Sequence, residues 1–331
     1  MASTVYFMDL RCTPKENLFG KLERLLDAAG IASIVSKRDL VAVKLHFGEM
    51  GNTAYIRPVF LQKIVERIKT HAGKPFLTDA NTLYAGTRGD AVGHLTTAIR
   101  NGFAYSVVEA PLIIADGMRG KTETAVAVNR KRFQEVYIGT EIVHADALLS
   151  VAHFKGHELS GFGGTLKNLG MGCASRKGKL AQHSTVSPKI NDEKCVGCGE
   201  CEDHCSQEAL AVVDAKAELN QESCIGCGEC ILICPNAAVE IQWDQSIPIF
   251  LENMVEYTEG VLKGKEEKSL FLNFITNVSP ACDCYGYNDA PIVGDIGIAA
   301  STDPVAIDQA SVDLVNGESA LPGTRLETHR G

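Results

Sequence analysis

Eight cysteines between Lys189 and Trp243 fall into two runs of one pattern, and no other feature of this 331-residue chain restricts its fold so tightly. Cys195, Cys198, Cys201 and Cys205 make the first run; Cys224, Cys227, Cys230 and Cys234, followed by Pro235, make the second. Each reads C-x2-C-x2-C-x3-C, the spacing that holds cubane iron–sulfur clusters in bacterial ferredoxins, where the fourth cysteine of each run ligates the other cluster. The expected ligand sets are therefore Cys195, Cys198, Cys201 and Cys234 for one 4Fe–4S cluster, and Cys224, Cys227, Cys230 and Cys205 for the second. Cysteines three apart let a tight loop wrap three corners of a cube, and Gly197, Gly199, Gly226 and Gly228 let the backbone come close. The halves repeat internally: Asn191 and Asn220, Glu193 and Glu222, Glu200 and Glu229, and Ala209 and Ala238 recur at one offset. The first run ends in Cys205 and Ser206 instead of Cys-Pro, which weakens a turn and costs no ligand. Two identical quartets with an exchanged fourth ligand fit neither disulfides nor zinc.

Twelve cysteines in such a chain indicate metal binding in a reducing compartment rather than disulfides. A cytoplasmic location, in an anaerobe, suits exposed low-potential clusters. The stretch Met1 to Val5 has no basic region leading into an apolar core, so no signal peptide is expected. No apolar run approaches the roughly 18 residues of a membrane helix. From Lys189 to Gln242 there are 3 Lys against 11 Asp or Glu, so this segment carries nearly all of the chain's net charge of −9. That acidity reads either as the solvated surface of a module with little interior, or as a face that steers a basic redox partner. It argues against nucleic acid as a partner.

Around this segment the pattern alternates strand and helix. Thr4 to Met8 is a predicted strand, and a helix runs from Pro14, with Leu18, Leu22, Leu25 and Leu26 on one face, to Gly30. Further strands are expected at 41–47, 75–78, 112–115, 147–152, 269–275 and 297–300, with helices from Pro58 to Gly73, Asp90 to Gly102, Phe250 to Leu262 and Asp303 to about Val315. Residues 122–128 and 133–138 suggest a hairpin; 174–188 and 277–294 look loop-like, and the tail after Gly317 reads as a loose end. The alternation predicts an α/β core domain with a mostly parallel sheet, made of residues 1–188 and 244–331 and interrupted by an inserted α+β two-cluster ferredoxin-like domain at 189–243.

In open parallel sheets ligands gather beyond the carboxyl ends of the strands. Lys44 and His46 close one predicted strand, Asp79 and Asn81 the next, and Asp116 follows the fourth. His153, Lys155 and His157 follow a later one, and Lys167 and Asn168 lie in the glycine-rich passage from Gly161 to Gly172. Any one of these suits a cap or a turn; their recurrence at strand ends makes Lys44, His46, Asp79, Lys155, His157 and Lys167 the candidate catalytic set. The glycine-rich passage fits neither the phosphate loop nor the dinucleotide fingerprint, and reads either as an anion cradle or as a tight packing turn. Of the other cysteines, Cys282 and Cys284 form a C-x-C pair that could chelate a further metal ion or cluster, with Cys173 as third ligand and His183, His153 or Asp295 to complete the set. Cys12 reads as a buried small residue.

The strings Lys44 to Gly48 (KLHFG), Thr78 to Tyr84 (TDANTLY), His153 to His157 (HFKGH), Gly164 to Gly172 (GTLKNLGMG), Cys282 to Cys284 (CDC), Asp295 to Gly297 (DIG) and Asp303 to Asp308 (DPVAID) give the chain, over nearly its whole length, a pattern that resembles the Domain of Unknown Function 362 family. Within it the chain is similar to the subgroup with an inserted two-cluster ferredoxin. The resemblance implies cluster binding and one continuous core around the insert. It implies that Cys173, Cys282 and Cys284 belong to the shared core pattern and that Cys12 does not. It implies no particular reaction.

Two functions follow. In the first, the chain is an oxidoreductase: electrons from a redox partner protein pass through the clusters to a metal, cofactor or small-molecule substrate in the core, where Lys44, His46, Lys155, His157 and Lys167 supply charge, protons or a carboxylate anchor. In the second, it is a non-enzymatic electron carrier or a cluster- or metal-handling protein with the core as docking scaffold. Clusters that serve only as structure remain a third reading.

Overall fold

The computed structural model describes residues 3–84, 86–183, 188–205, 207–224, 226, 228–242, 246–324 and 326–327. Its frame is a seven-stranded sheet: β1 (Tyr6–Asp9), β2 (Leu40–Lys44), β3 (Lys74–Asp79), β4 (Leu112–Ile114), β5 (Ala147–His153), β6 (Ser269–Ile275) and β7 (Gly297–Ser301), in the order β1-β7-β6-β5-β2-β3-β4. β6, β5, β2, β3 and β4 run parallel; β7 is antiparallel to both β6 and β1. β5 and β6 are buried at every position, as strands covered on both faces must be. Side chains of a strand alternate between faces, and this sorts the core into two layers. Val41, Val43, Leu149 and Val151 join one apolar cluster with the helices Leu18–Ala28 and Pro58–Thr70. Ala42 and Leu148 join the other, with the helices Ile247–Leu262 and Pro304–Gly317.

From β2 the chain steps outward to β3 and β4, then returns to the opposite side of β2 as β5. The carboxyl ends of β2 and β5 therefore flank a topological switch point, the crevice where open α/β sheets bind ligands. A hairpin of Glu123–Ala127 with Glu135–Gly139 packs on the second layer through Val128, Val136 and Ile138.

The segment between Lys189 and Glu240 holds two small ladders, Lys189–Ile190 with Val239–Glu240 and Leu210–Val213 with Lys216–Leu219, and two short helices, Glu200–Asp203 and Glu229–Ile233. Because Lys189 pairs with Glu240, this segment leaves the core and rejoins it at one place. It has an apolar cluster of its own, which takes in Leu83 and Leu180 from the core.

The sequence reading needs four corrections here. Residues 174–188 are not a loop throughout: Arg176–His183 is a helix. Its polar side chains are spent on tertiary bonds, Arg176 to Glu229 and Gln182 to the Gly170 carbonyl, so polarity there does not mean solvent. The first helix starts at Leu18, not Pro14, because Asn17 caps it by accepting from the Gly20 N–H, a contact worth about 1 kcal/mol. The tail is not loose as far as Thr324: the Leu321 N–H donates to the Ile292 carbonyl and Thr324 is buried. Cys12, expected inside, is exposed. Among the described residues no helix is long and apolar enough to cross a membrane.

Candidate functional site

A cavity of about 780 Å³ opens at the carboxyl ends of β2, β3 and β5. All six candidates line it, Lys44, His46, Asp79, Lys155 and His157 from strand ends and Lys167 from the glycine-rich passage, together with both sulfur residues of the C-x-C pair. They reach it in different ways. Lys44 is the last residue of β2, in register with Thr78 of β3 and Ser150 of β5. Its ammonium donates to Asn168 Oδ1 at 2.9 Å and the Leu45 carbonyl at 3.0 Å and forms an ion pair with Asp79 Oδ1 at 2.9 Å. Asn168 completes the clamp across the switch point by donating to the Lys44 carbonyl and to Ser150 Oγ.

Asp79 is the hub of a buried network. Besides Lys44 it meets Arg88 at 3.5 Å and His94 at 3.6 Å. Burial would raise its carboxyl, but the Lys44 charge and then His94 outweigh that and hold it well below the usual carboxylate range. Arg88, fully buried, also ties Glu49 at 3.1 Å and the Tyr84 hydroxyl at 3.1 Å. Strand-end logic missed Arg88, Tyr84, Glu49 and Lys179, which line the cavity from loops and a helix; no spacing in the sequence marks them. Asp116 lies beneath, accepting from the Asn81 N–H and amide, and burial pushes its carboxyl up to about 6.

On the other flank the chain after β5 turns back as a hairpin of Lys155–His157 and Gly161–Gly163. Lys155 donates to the His153 carbonyl at 2.9 Å and meets Asp283 at 3.1 Å. His157 Nδ1 accepts from the Ser160 N–H at 3.1 Å, which leaves Nε2 as the protonated nitrogen; burial, then Lys167, holds its pKa down at about 3. His157 and His183 both stack on Phe250. The glycine-rich passage is a packing device: a Cβ at Gly170 would lie 2.2 Å from the Met254 carbonyl oxygen. The N–H groups of Thr165 and Leu166, which could have cradled an anion, donate to Asp308 at 2.7 and 2.9 Å.

The C-x-C pair is pinned through its middle residue. Asp283, fully buried, pairs with His153 Nδ1 at 2.8 Å and with Lys155. The pair sits in a tight turn closed by the Tyr285 N–H, which donates to the Cys282 carbonyl, and both thiols face the cavity while Asp283 does not. Lys167 Nζ donates to Cys282 Sγ at 2.8 Å, and the Cys284 N–H donates to the same sulfur at 3.2 Å. Cys282 donates to Cys284: this pushes the Cys282 thiol up and holds that of Cys284 well below the usual thiol range, where Lys167 and His46 also act. Burial would lower the Lys167 ammonium, but the two sulfurs raise it. His46 Nδ1 accepts from the Gly48 N–H at 3.0 Å, so Nε2 carries the proton; it faces Cys284 and has no ordinary hydrogen-bond partner among the described residues.

The other expected ligands do not join the pair. Cys173 sits in the second apolar layer, where burial pushes its thiol up to about 11. His153 faces Asp283, and Asp295 accepts from the Asn277 N–H at the surface. His183 lines the cavity. Among the described residues, no three His, Cys, Asp or Glu side chains converge on a single ion position.

In the cysteine-rich segment, Cys195, Cys198, Cys201 and Cys234 line one small cavity, so the last cysteine of the second run lies with the first three of the first. Backbone N–H groups donate to sulfur at Cys195 from Ala217, at Cys234 from Ala238 and at Cys205 from Ala209, at 3.3, 3.2 and 3.3 Å. Cys224 and Cys230 are partly exposed, and Cys227 lies outside the described residues. Gly197 and Gly228 have positive φ, and a Cβ at Gly228 would lie 2.8 Å from Leu83, itself a cavity residue. The second run is thus the one that rests on the core, fixed by the buried pair of Arg176 with Glu229 at 2.9 Å.

The sequence profile of the family described as "Domain of unknown function (DUF362)" matches residues 41–313, and the chain belongs to that family. No curated protein matches it. Among solved structures it is similar to the lactate racemase apoprotein from Thermoanaerobacterium thermosaccharolyticum, at 14% identity and a TM-score of 0.44, over 89% of this chain. The chain spans 55% of the length of that structure.

Proposed function

We propose that this DUF362 protein carries two 4Fe–4S clusters in an inserted ferredoxin-like domain, residues 189–243, and uses them to bring electrons from a partner protein to a small molecule bound in the α/β core. The carrying observation is the cavity ringed by Cys195, Cys198, Cys201 and Cys234, thiols from opposite ends of the insert. Each thiolate of a cubane binds a different iron, so its four ligands ring a volume instead of meeting at one ion position. The N–H groups aimed at the Cys195 and Cys234 sulfurs, and at Cys205 of the other set, suit the thiolate form and are a recognised control on cluster potential. Cys205, Cys224, Cys227 and Cys230 would hold the second cluster. Bound there, the clusters supply one-electron transfer; the chain's own residues supply the rest. The acidic insert favours a basic partner, and the cysteine usage favours a cytoplasmic setting.

An enzyme is favoured over a pure carrier because a docking scaffold has no need of a chamber of about 780 Å³. Within it, cations dominate. Lys155 and Lys167 keep N–H donors beyond those used by the protein, and His157 and His46 present Nε2–H groups, a set that suits an anionic substrate and proton delivery. Iron and sulfide analysis of anaerobically purified protein tests the reading. About eight iron atoms per chain are expected. Colourless, iron-free protein from oxygen-free cells would refute it.

A further inference from the structure

The C-x-C pair is the feature of the cavity that substrate binding alone does not account for. Both thiols line the one cavity, with the Lys167 ammonium and the Cys284 N–H on the Cys282 sulfur and His46 facing Cys284. Metal chelation finds no third side chain: Cys173 is in the apolar layer, and no group of three ligands converges among the described residues.

We propose that Cys282 and Cys284 are a redox-active dithiol, the two-electron store at the inner end of the electron path. This rests on the electron-relay reading above. Reduction breaks the Cys282–Cys284 S–S bond: two electrons, delivered singly from the reduced clusters, and two protons yield two thiols. Oxidation by a two-electron acceptor in the cavity reverses this. The geometry is favourable on three counts. The turn at Cys282–Tyr285 brings residues two apart within the Cα spacing that a disulfide tolerates, and the Cys284 N–H already reaches Cys282 Sγ at 3.2 Å. Asp283, anchored by His153 and Lys155, keeps both sulfurs turned into the cavity while their bond forms and breaks. Lys167 at 2.8 Å from Cys282 Sγ and the His46 Nε2–H facing Cys284 place a proton donor beside each sulfur as the bond opens. The electron count fits as well: a disulfide needs two electrons, and the insert has ligands for two one-electron centres.

The test uses the full-length, cluster-loaded protein under anaerobic conditions. Protein treated with diamide, which removes two hydrogens from a dithiol, is alkylated, digested and weighed; the peptide spanning Cys282 and Cys284 is expected to be lighter by a pair of hydrogens and to resist alkylation. Reducing the clusters with electrochemically poised methyl viologen is then expected to restore two alkylatable thiols. The electron paramagnetic resonance signal of the reduced clusters should decay as the disulfide opens, and persist in Cys284→Ser protein. Two freely alkylated thiols after diamide, or reduced clusters that leave the disulfide intact in the wild type, overturn the proposal. The mass measurement needs no variant, so a poorly folded Cys284→Ser does not blunt it. Iron-free protein would instead defeat the relay reading, whatever the thiol count.

Discussion

Replacing Lys44 by methionine is the sharpest probe of how the cavity floor is built. Lys44 is 1% exposed and its ammonium lies 2.9 Å from Asp79 Oδ1. Without it, Asp79 keeps Arg88 at 3.5 Å and His94 at 3.6 Å, both too distant to replace a direct charge-assisted bond, and the amide N–H of Ala80. Removing one partner of a buried ion pair leaves an uncompensated charge and costs about 3–5 kcal/mol. For a domain of this size that is a fall in Tm of roughly 10 °C. Asp79→Asn alone should cost a similar amount, because it strands the Lys44 ammonium. In Lys44→Met/Asp79→Asn both charges are gone, Arg88 still has Glu49, and stability should return to within about 2 kcal/mol of the wild type. The assay is urea unfolding followed by circular dichroism under anaerobic conditions, read as a double-mutant cycle. A loss below about 1 kcal/mol in Lys44→Met, or a double mutant as unstable as the sum of the singles, would refute the reasoning.

Asp116, held protonated to about 6, binds a proton in the folded state that the unfolded chain releases near the ordinary aspartate value of 3.8, so its contribution is full below that value and is lost as pH rises through 6. Asp116→Asn should remove a pH-dependent term of about 3 kcal/mol, seen as a flatter Tm between pH 4 and about 7. His94 has the opposite sign: burial depresses it to about 4, so its contribution is present above 6.5 and lost as pH falls through 4, and His94→Asn should make the urea midpoint less sensitive to acid. Glu229→Ala leaves Arg176 buried without its carboxylate and should cost about 3 kcal/mol where the cysteine-rich segment rests on the helix Arg176–His183, read as faster proteolysis within that segment. Gly170→Ala drives a methyl to 2.2 Å from the Met254 carbonyl and should lose about 1–3 kcal/mol in urea unfolding.

What the sequence made legible follows the reach of its signals. Apolar runs of period two and breaks at Gly and Pro are local, and they placed the strands of the central sheet to within a few residues. The strand-end rule needs only those strands plus one topological fact: of the residues it gathered, Lys44, His46, Asp79, Lys155 and His157 line one cavity, joined by Lys167 from the glycine-rich passage, whereas Asn81, Asp116 and His153 are not among its lining residues. Arg88 and Tyr84 were out of reach because nothing local distinguishes a buried arginine from a solvated one; its burial is fixed by Glu49 and Asp79, which lie 39 and 9 residues away in sequence. The helix Arg176–His183 was misread for the same reason: its partners Glu229 and Gly170 come from elsewhere.

Counting N–H donors separates residues that build the cavity from residues that can act in it. Lys44 donates to Asn168 and Leu45 and pairs with the Asp79 carboxylate, so it serves as a clamp between β2, β3 and the Thr165–Gly170 helix. Lys167 has a sulfur as its partner instead of an oxygen, and sulfur is the one atom there whose charge changes when a disulfide opens. An ammonium spent on a carboxylate stabilises one fixed state; an ammonium spent on a thiol biases a reaction. Substituting Lys44 should therefore be read mainly in stability, and Lys167→Met mainly in the potential of the Cys282–Cys284 couple, which should become harder to reduce while the urea midpoint falls less than in Lys44→Met. Equal losses of stability in the two variants, with the couple's potential unmoved, would show that the distinction drawn from donor counts is false.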